Sequence, residues 1–376
     1  MSRNLTVAAA VAAVLLVLAG PASAGTPAWV QAPPIPIAKS ALTQVLSDVT
    51  VIAPDDVWVV GGWSGDDAHT LAVHWNGTAW ITASTPDAVD EGGEYRLNAV
   101  DAVAPDDVWS VGGILSGSTA KTKPLFIHYD GVVWTEQPGT VAIDGELSDL
   151  DLLATGEGWA VGTVNSTPLI VRRSAGQWYP VDAPPIPGPA SLVSVAVTSP
   201  TDAWAVGTRV RDGHTAALVL HWDGVTWTDV AVPDAGPADE VVMAVGASTG
   251  SDVWIVGALC TPICQSRVLH MKDGSWGTEA ASPGATLTSV IAFAPDNVWI
   301  FGQATLSALI RDHIEHWDGS QFTVDISVPP VASQGHGAAS ALSLAAAAAD
   351  SDTGTMWAVG WIESGSLRTG HALYHP

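Results

Sequence analysis

Short apolar runs separated by polar turns follow one another along almost the whole chain, and no segment shows sustained helical periodicity. The clearest run, residues 57–61, is rich in β-branched residues and tryptophan and follows the turn sequence Ala-Pro-Asp-Asp at 53–56. Proline and aspartate favour turns, whereas β-branched and aromatic residues favour strands. The pattern therefore predicts an all-β chain.

This turn-and-strand pattern occurs seven times. The copies at 53–62, 104–113, 199–207 and 294–302 are the most alike. The tryptophan near the start of the strand recurs at intervals of about 50 residues, at Trp58, Trp109, Trp159, Trp204, Trp254, Trp299 and Trp357. A fixed period of this length indicates a propeller, a solenoid or an array of repeats.

Each repeat contains four predicted strands. In the first copy they are 45–52, 57–61, 70–75 and 79–83, and Asn76-Gly77 forms the tight hairpin between the last two, because both turn positions need a positive φ. Four strands per repeat predict one propeller blade. The predicted blades lie at about 45–86, 97–138, 147–184, 191–233, 240–283, 286–329 and 338–376 plus 25–33.

The two ends of the chain predict how the ring closes. The last repeat stops at Pro376 without a fourth strand, while residues 25–32 resemble the fourth-strand segment at 77–83. We therefore expect residues near 28–31 to form the outer strand of the seventh blade, which removes an open seam. The prediction is a single seven-bladed β-propeller domain of four-stranded blades over residues 25–376.

The sequence Val-Trp-Val-Val-Gly-Gly at 57–62, followed by His-Trp-Asn-Gly at 74–77 and a tryptophan at 80, resembles a kelch repeat. The resemblance covers essentially the whole chain after residue 24, and it extends to the kelch-type propellers that include the central domain of galactose oxidase. The double glycine recurs at 112–113 and is single in the other repeats. The resemblance implies a propeller fold and a role in binding other molecules.

Composition narrows the choice of partners. The chain has 13 Lys and Arg against 38 Asp and Glu, a formal net charge of −25, so nucleic acid and anionic lipid are not expected partners. Residues 1–24 are typical of a secretory signal peptide, with Arg3 before an apolar segment and Ala22-Ser23-Ala24 as the cleavage site. We expect a secreted, extracellular monomer that does not insert into a membrane.

The two cysteines are separated by three residues. In an exported protein, Cys260 and Cys264 predict a short-loop disulfide. A redox pair or half of a metal site are the alternatives, but zinc needs four ligands and no second cluster is present. No metal or cofactor is predicted, with structural calcium at the aspartate turns kept as an alternative.

Residues that recur in most repeats are assigned to the fold. We expect the repeated tryptophans to pack between neighbouring blades and the aspartate pairs at 55–56 and 106–107 to hydrogen-bond their own turns. Six repeats place a histidine before the hairpin, and one histidine per blade favours a structural role over a shared metal site: His74, His128, His221, His270, His316 and His375.

Function is expected where the repeats differ. In a propeller, the loops between second and third strands share one face with the loops between blades, and here they hold most of the arginines. Solvent exposure alone also explains charged loops. The alternative is a ligand face that offers cations near the central pore and tryptophans for stacking on sugars, with Trp63, Arg209, Arg211, Arg267, Arg311, Trp361 and Arg368 as the predicted contacts.

These residues predict a binding module that recognises an extracellular or cell-wall glycan or a protein partner. One alternative is a carbohydrate-active hydrolase that uses acidic loop residues of the same face. Another is a structural module of the cell envelope. The sequence has no Gly-x-Ser-x-Gly, His-Glu-x-x-His or phosphate-cradling Gly-Lys motif, and no catalytic residue is assigned.

Overall fold

A computed structural model describes residues 28–36, 43–65, 68–86, 94–115, 122–137, 144–261, 263–306, 309–330 and 341–376. All the regular elements in these ranges are β-strands. Within the same ranges, no helix has the length and apolar character needed to cross a membrane. The predicted signal peptide and its cleavage site lie outside the described residues.

The strands pair into four-stranded antiparallel sets in chain order, which we call units. Unit 1 contains β2 (Thr43–Ala53), β3 (Asp56–Ser64), β4 (Ala68–Trp75) and β5 (Trp80–Ala83). Unit 2 contains β6 (Glu94–Ala104), β7 (Asp107–Leu115), β8 (Thr122–Tyr129) and β9 (Trp134–Glu136). Unit 3 contains β10 (Glu146–Leu152), β11 (Gly158–Val164), β12 (Thr167–Ser174) and β13 (Gln177–Val181).

The next three units repeat this order. Unit 4 contains β14 (Ala190–Ser199), β15 (Asp202–Arg211), β16 (His214–Trp222) and β17 (Trp227–Asp229). Unit 5 contains β18 (Asp239–Thr249), β19 (Asp252–Cys260), β20 (Cys264–Lys272) and β21 (Ser275–Thr278). Unit 6 contains β22 (Ala285–Ala294), β23 (Asn297–Leu306), β24 (Leu309–Trp317) and β25 (Phe322–Val324).

Unit 7 takes its strands from both ends of the chain. It contains β26 (Ala341–Ala349), β27 (Met356–Ser364), β28 (Leu367–His375) and the N-terminal β1 (Val30–Gln31). Val30 lies opposite Tyr374 in an antiparallel pairing, so β1 is the outer strand of this unit. A single parallel bridge between Thr43 and Arg368 also joins units 7 and 1 into one sheet.

The units form a ring. The first strand of each unit contacts the first strand of the next, and β26 of unit 7 contacts β2 of unit 1. Apolar side chains fill the spaces between units. Trp58 and Val60 of unit 1, for example, pack with Leu97 and Leu125 of unit 2, and burial of such large side chains supplies the main stabilisation.

One glycine in each second strand is required by this packing. A Cβ on Gly162 would overlap the carbonyl oxygen of Glu146, and a Cβ on Gly302 would overlap that of Thr286. The first strand of each unit has a register shift at this level, which brings its backbone close to the second strand. The equivalent glycine is present in all seven units: Gly61, Gly112, Gly162, Gly207, Gly257, Gly302 and Gly360.

Candidate functional site

The recurring tryptophans, histidines and aspartates build the fold. His74 stacks on Trp58 with ring centroids 4.5 Å apart, and its Nε2 lies 2.7 Å from Asp56 Oδ1. Units 2, 4, 5 and 6 repeat this arrangement, with Asn297 in place of aspartate in unit 6. The second aspartate of the turn therefore bonds the histidine of its own unit, where hydrogen bonds within the turn had been expected.

Two units place another residue at the histidine position. In unit 3 the guanidinium of Arg172 lies 5.4 Å from the Trp159 ring. In unit 7 the sequence register predicted His375, which is wrong, because strand pairing sets Tyr374 opposite Trp357 and stacks their rings at 5.2 Å. Across the described residues, no group of three or more His, Cys, Asp or Glu side chains could hold a metal ion.

The two cysteines form a disulfide at the tip of the hairpin between β19 and β20. Their sulfur atoms are 2.02 Å apart and their Cα atoms 3.9 Å apart. Ile263, inside the loop, is largely exposed. The bridge therefore constrains one surface turn and contacts none of the clefts described below.

A cleft lies where units 7, 1 and 2 meet, and we call it the seam cleft. Its volume is about 530 Å³. Three strands of unit 1, the first strand of unit 2 and Arg368 of β28 form its walls. Its side chains include Thr43, Ser47, Trp63, His69, Glu94, Tyr95, Arg96, Asn98 and Arg368.

Aromatic side chains form one wall of the seam cleft. Trp63 and His69 lie opposite each other in β3 and β4, and their rings stack at 4.0 Å with an angle of 18° between planes. Tyr95 of unit 2 also lines the cleft. Trp63 packs partly against the core between units 7 and 1, so the fold fixes the position of this aromatic surface.

The two arginines that line the seam cleft are paired with carboxylates. Arg96 donates to Glu94 at 3.0 Å, and both side chains are exposed. Arg368 donates to Glu363 at 2.8 Å, and its guanidinium covers the Trp361 ring at 4.0 Å. Trp361 therefore supports Arg368 by a cation–π contact and does not itself line the cleft, although the sequence predicted it as a ligand contact.

A second, smaller cleft of about 270 Å³ lies on unit 4 and contains two of the predicted arginines. Arg209 makes two hydrogen bonds to Asp229, at 2.6 and 2.9 Å. Arg211 bonds Asp234 at 2.5 Å. Arg267 bonds the buried Glu240, which lines the same cleft, at 2.7 Å.

The structure therefore places the predicted ligand contacts in separate regions of the ring. Trp63, Arg368 and Trp361 lie at the seam, while Arg209, Arg211 and Arg267 lie between units 4 and 5. Arg311 is exposed on β24 and lines neither cleft. All seven residues lie on strands, because the second and third strands run further than their sequence pattern indicated.

Glu94, Arg96 and His69 belong to the seam cleft but were not among the predicted contacts. His69 is set apart from the repeated histidines by its register, which places it opposite Trp63 near the end of the hairpin. Glu94 and Arg96 begin the first strand of unit 2. Contact with the neighbouring unit makes Glu94 and Arg96 part of the site, and the repeat pattern alone does not indicate which side chains meet there.

The ring encloses a central channel with a cavity of about 150 Å³. The sequence led us to expect cations near it, but among the described lining residues the charged groups are carboxylates, Asp48 and Asp149. Asp48 Oδ2 accepts from the Val100 amide of the next unit at 2.8 Å. Asp149 Oδ2 accepts in the same way from Val195 at 2.9 Å.

Two further aspartates, on the first strands of units 2 and 3, lie two residues beyond this level. Asp101 accepts from the Leu152 amide of the next unit at 2.7 Å, and Asp151 accepts from Val197 at 2.6 Å. Burial raises the pKa of Asp101 and of Asp149 to about 6. Burial also raises the pKa of Asp48 and of Asp151, and the neighbouring aspartates add to both shifts.

No protein-family model and no curated protein sequence matches the chain. Solved structures do. The β-propeller domain of the Trilobed protease from Pyrococcus furiosus has a TM-score of 0.51 at 10% identity, over 87% of this chain and 94% of that chain. The chain folds as a β-propeller.

Two other propeller structures match the chain over a similar length. YCF48 bound to D1 peptide gives a TM-score of 0.54 at 15% identity, over 94% of this chain and 96% of that chain. A polysaccharide lyase, an ulvan lyase bound to a GlcA(1-4)Rha3S unit, gives 0.56 at 9% identity, over 92% and 94%. At these identities the similarity establishes the fold alone.

Proposed function

We propose that the chain is an exported, kelch-like propeller in which each of seven four-stranded units is one blade, and that it binds an extracellular or cell-wall glycan in the seam cleft. The seam cleft carries this proposal. It combines a fixed aromatic surface at Trp63 with polar side chains from two further units. Concave sites with aromatic walls and a few placed polar groups are typical ligand sites.

The other candidate surface supports binding less well. In the cleft of unit 4, Arg209 and Arg211 are held by Asp229 and Asp234, and no aromatic side chain is among its lining residues. A ligand there would have to replace internal ion pairs. The comparisons support recognition in general, because propellers of this shape bind a peptide in one case and a saccharide in another.

The proposal also covers the cellular location and the oligomeric state of the protein. The N-terminal segment supports export, the disulfide between Cys260 and Cys264 suits an oxidising compartment, and closure of unit 7 by β1 supports a monomeric ring. We propose no catalytic role, because Glu94, the carboxylate among the lining residues of the seam cleft, bonds Arg96.

The test is retention of the purified protein on a panel of insoluble and soluble polysaccharides, with release of reducing ends measured in the same samples. We expect retention without product, lost in Trp63→Ala and kept in Arg209→Ala, the control from the other cleft. Product release would replace the proposal by the hydrolase alternative. Retention that Trp63→Ala leaves intact would remove the seam cleft from the proposal.

A further inference from the structure

We infer that the ligand of the seam cleft is an uncharged saccharide, bound with a ring face on the aromatic wall and its hydroxyl groups on the Arg96–Glu94 pair and on Arg368. This inference rests on the proposed function and narrows it to a ligand class. Three features carry it: the flat aromatic surface, the internal pairing of the cleft charges, and the spacing of donors and acceptors around that surface.

The aromatic wall provides a rigid flat surface. Trp63 stacks on His69 at 4.0 Å and also packs against the core, so its ring cannot rotate freely. Tyr95 reaches the cleft from the neighbouring unit. The C–H face of a pyranose ring is apolar with partial positive charge, and it is complementary to the negative face of an aromatic ring.

Both arginines of the cleft are paired with carboxylates. Arg96 is paired with Glu94 at 3.0 Å, and Arg368 with Glu363 at 2.8 Å. An acidic saccharide would have to draw a guanidinium away from its carboxylate, in a protein with a net charge of −25. An uncharged ligand leaves both pairs intact, so it avoids this electrostatic cost.

The Arg96–Glu94 pair suits hydroxyl groups. A hydroxyl both donates and accepts a hydrogen bond, and this pair offers carboxylate oxygens as acceptors next to guanidinium N–H donors. Arg96 is 63% exposed and Glu94 46% exposed, so their outer atoms face solvent. Two neighbouring hydroxyls on one sugar ring can therefore bond one pair at the same time.

The size of the cleft fits a short oligosaccharide. Its volume of about 530 Å³ lies within the range of about 300–1,000 Å³ that is usual for small-ligand sites. Units 1 and 2 form the walls and unit 7 contributes Arg368, so a chain of sugars would extend across neighbouring units. We therefore expect oligosaccharides to bind more tightly than single sugars.

The test compares neutral oligosaccharides of hexoses and pentoses with uronate oligosaccharides of equal length, by isothermal titration calorimetry on the full chain. We expect a neutral oligosaccharide to bind with an affinity that salt does not change, since no charge is neutralised. Trp63→Ala and Tyr95→Ala should each weaken binding about tenfold. Arg209→Ala, an arginine paired with Asp229 outside the cleft, is the matched control.

Each outcome separates the inference from the proposed function. Tighter, salt-sensitive binding of the uronate series would overturn the inference and leave glycan binding standing. Binding of peptides alone, or of no saccharide in either series, would overturn both. If Trp63→Ala lowers the unfolding temperature, Trp63→Leu keeps an apolar side chain against the core without an aromatic face. Unchanged affinity in both Trp63→Leu and Tyr95→Ala would overturn the placement of the ligand on this wall.

Discussion

Along the central channel, the first strands of units 1 to 3 and those of units 4 to 6 use different side chains to accept hydrogen bonds from backbone amides of the next unit. In the first half, aspartates accept hydrogen bonds from the amides of the next unit, at 2.8 Å for Asp48 and 2.9 Å for Asp149. In the second half, serines do so at 3.2 Å for Ser194 and 3.1 Å for Ser289. Bonds to the carboxylates are the shorter ones, as expected for charge-assisted hydrogen bonds.

The shared problem is the free edge of each first strand. Its channel-side amides have no partner strand, and a buried amide without an acceptor is costly. Asp149 shows how one carboxylate serves two such amides, Leu150 of its own strand and Val195 of the next unit. Leu150 takes this acceptor because unit 2 has Ala99 at the equivalent position, with no acceptor atom.

The difference lies in electrostatics. A serine accepts an amide without a charge, whereas a buried carboxylate must lose its hydration to do the same. The pKa of Asp101 and of Asp149 is accordingly raised by burial to about 6. The two halves of the ring are therefore alike in geometry but differ in their response to pH, and four experiments can test that distinction.

The largest expected effect is on stability against pH. Between pH values of about 4 and 6, the folded chain holds more protons than the unfolded chain at Asp101 and Asp149, since their pKa rises from 3.8 to about 6 on folding. Their contribution is therefore fully present below the unfolded pKa and is lost as pH rises through the folded value. Each shift corresponds to about 3 kcal/mol, measurable by urea unfolding across this range.

A serine swap isolates this effect. Asp149→Ser places in unit 3 the residue that unit 4 has at the equivalent position, Ser194, and should flatten the pH dependence of unfolding. The pKa of His316 is lowered by burial, which acts in the opposite direction just below pH 6.5, so the difference between variant and parent is the relevant quantity. Equal slopes for both proteins would contradict the assignment.

The second-largest effect is expected from glycine-to-alanine substitutions, which should destabilise both halves of the ring equally. Gly162→Ala in unit 3 and Gly302→Ala in unit 6 each place a Cβ against a carbonyl oxygen of the first strand. Such overpacking costs about 1–3 kcal/mol or more, which denaturant unfolding at one pH would show. If only one of the two variants is destabilised, the halves differ in backbone spacing as well as in charge.

A smaller effect is expected for Ser289→Ala. It removes the acceptor of the Ala347 amide in unit 7, at a cost of about 1–2 kcal/mol. Because no charge is involved, the decrease in unfolding free energy, measured with urea, should be the same at pH 4 and at pH 7. A pH-dependent loss would mean that the serine half is coupled to the carboxylates.

The smallest effect should come from an exposed ion pair. Arg211 and Asp234 form a contact of 2.5 Å, but their side chains are 50% and 60% exposed. Arg211→Ala should therefore change the unfolding free energy by less than about 1 kcal/mol. A larger change would show that exposed charges also contribute to the stability of this ring. That result would weaken the comparison between the two halves, which attributes their difference to buried charge.

The candidate site was predictable only in part. Trp63 and Arg368 stand out in the sequence because they break the repeat, and both line the seam cleft. Trp361 was predicted on the same grounds but lies under Arg368, and the arginines of units 4 and 5 bond carboxylates. Pairing of this kind depends on which side chains neighbouring strands bring opposite each other.

The sequence by itself determined the repeat, the strands and the closing segment, because turn chemistry, β-branched runs and the recurring tryptophans act locally and return at a fixed period. The tertiary structure alone decided which side chains meet. The backbone amide of Val100 donates to Asp48, and that of Val195 donates to Asp149. In each case the two residues belong to neighbouring units and are about 50 positions apart in the chain. Such contacts follow from the curvature of the ring and the register of its strands, which no local pattern specifies.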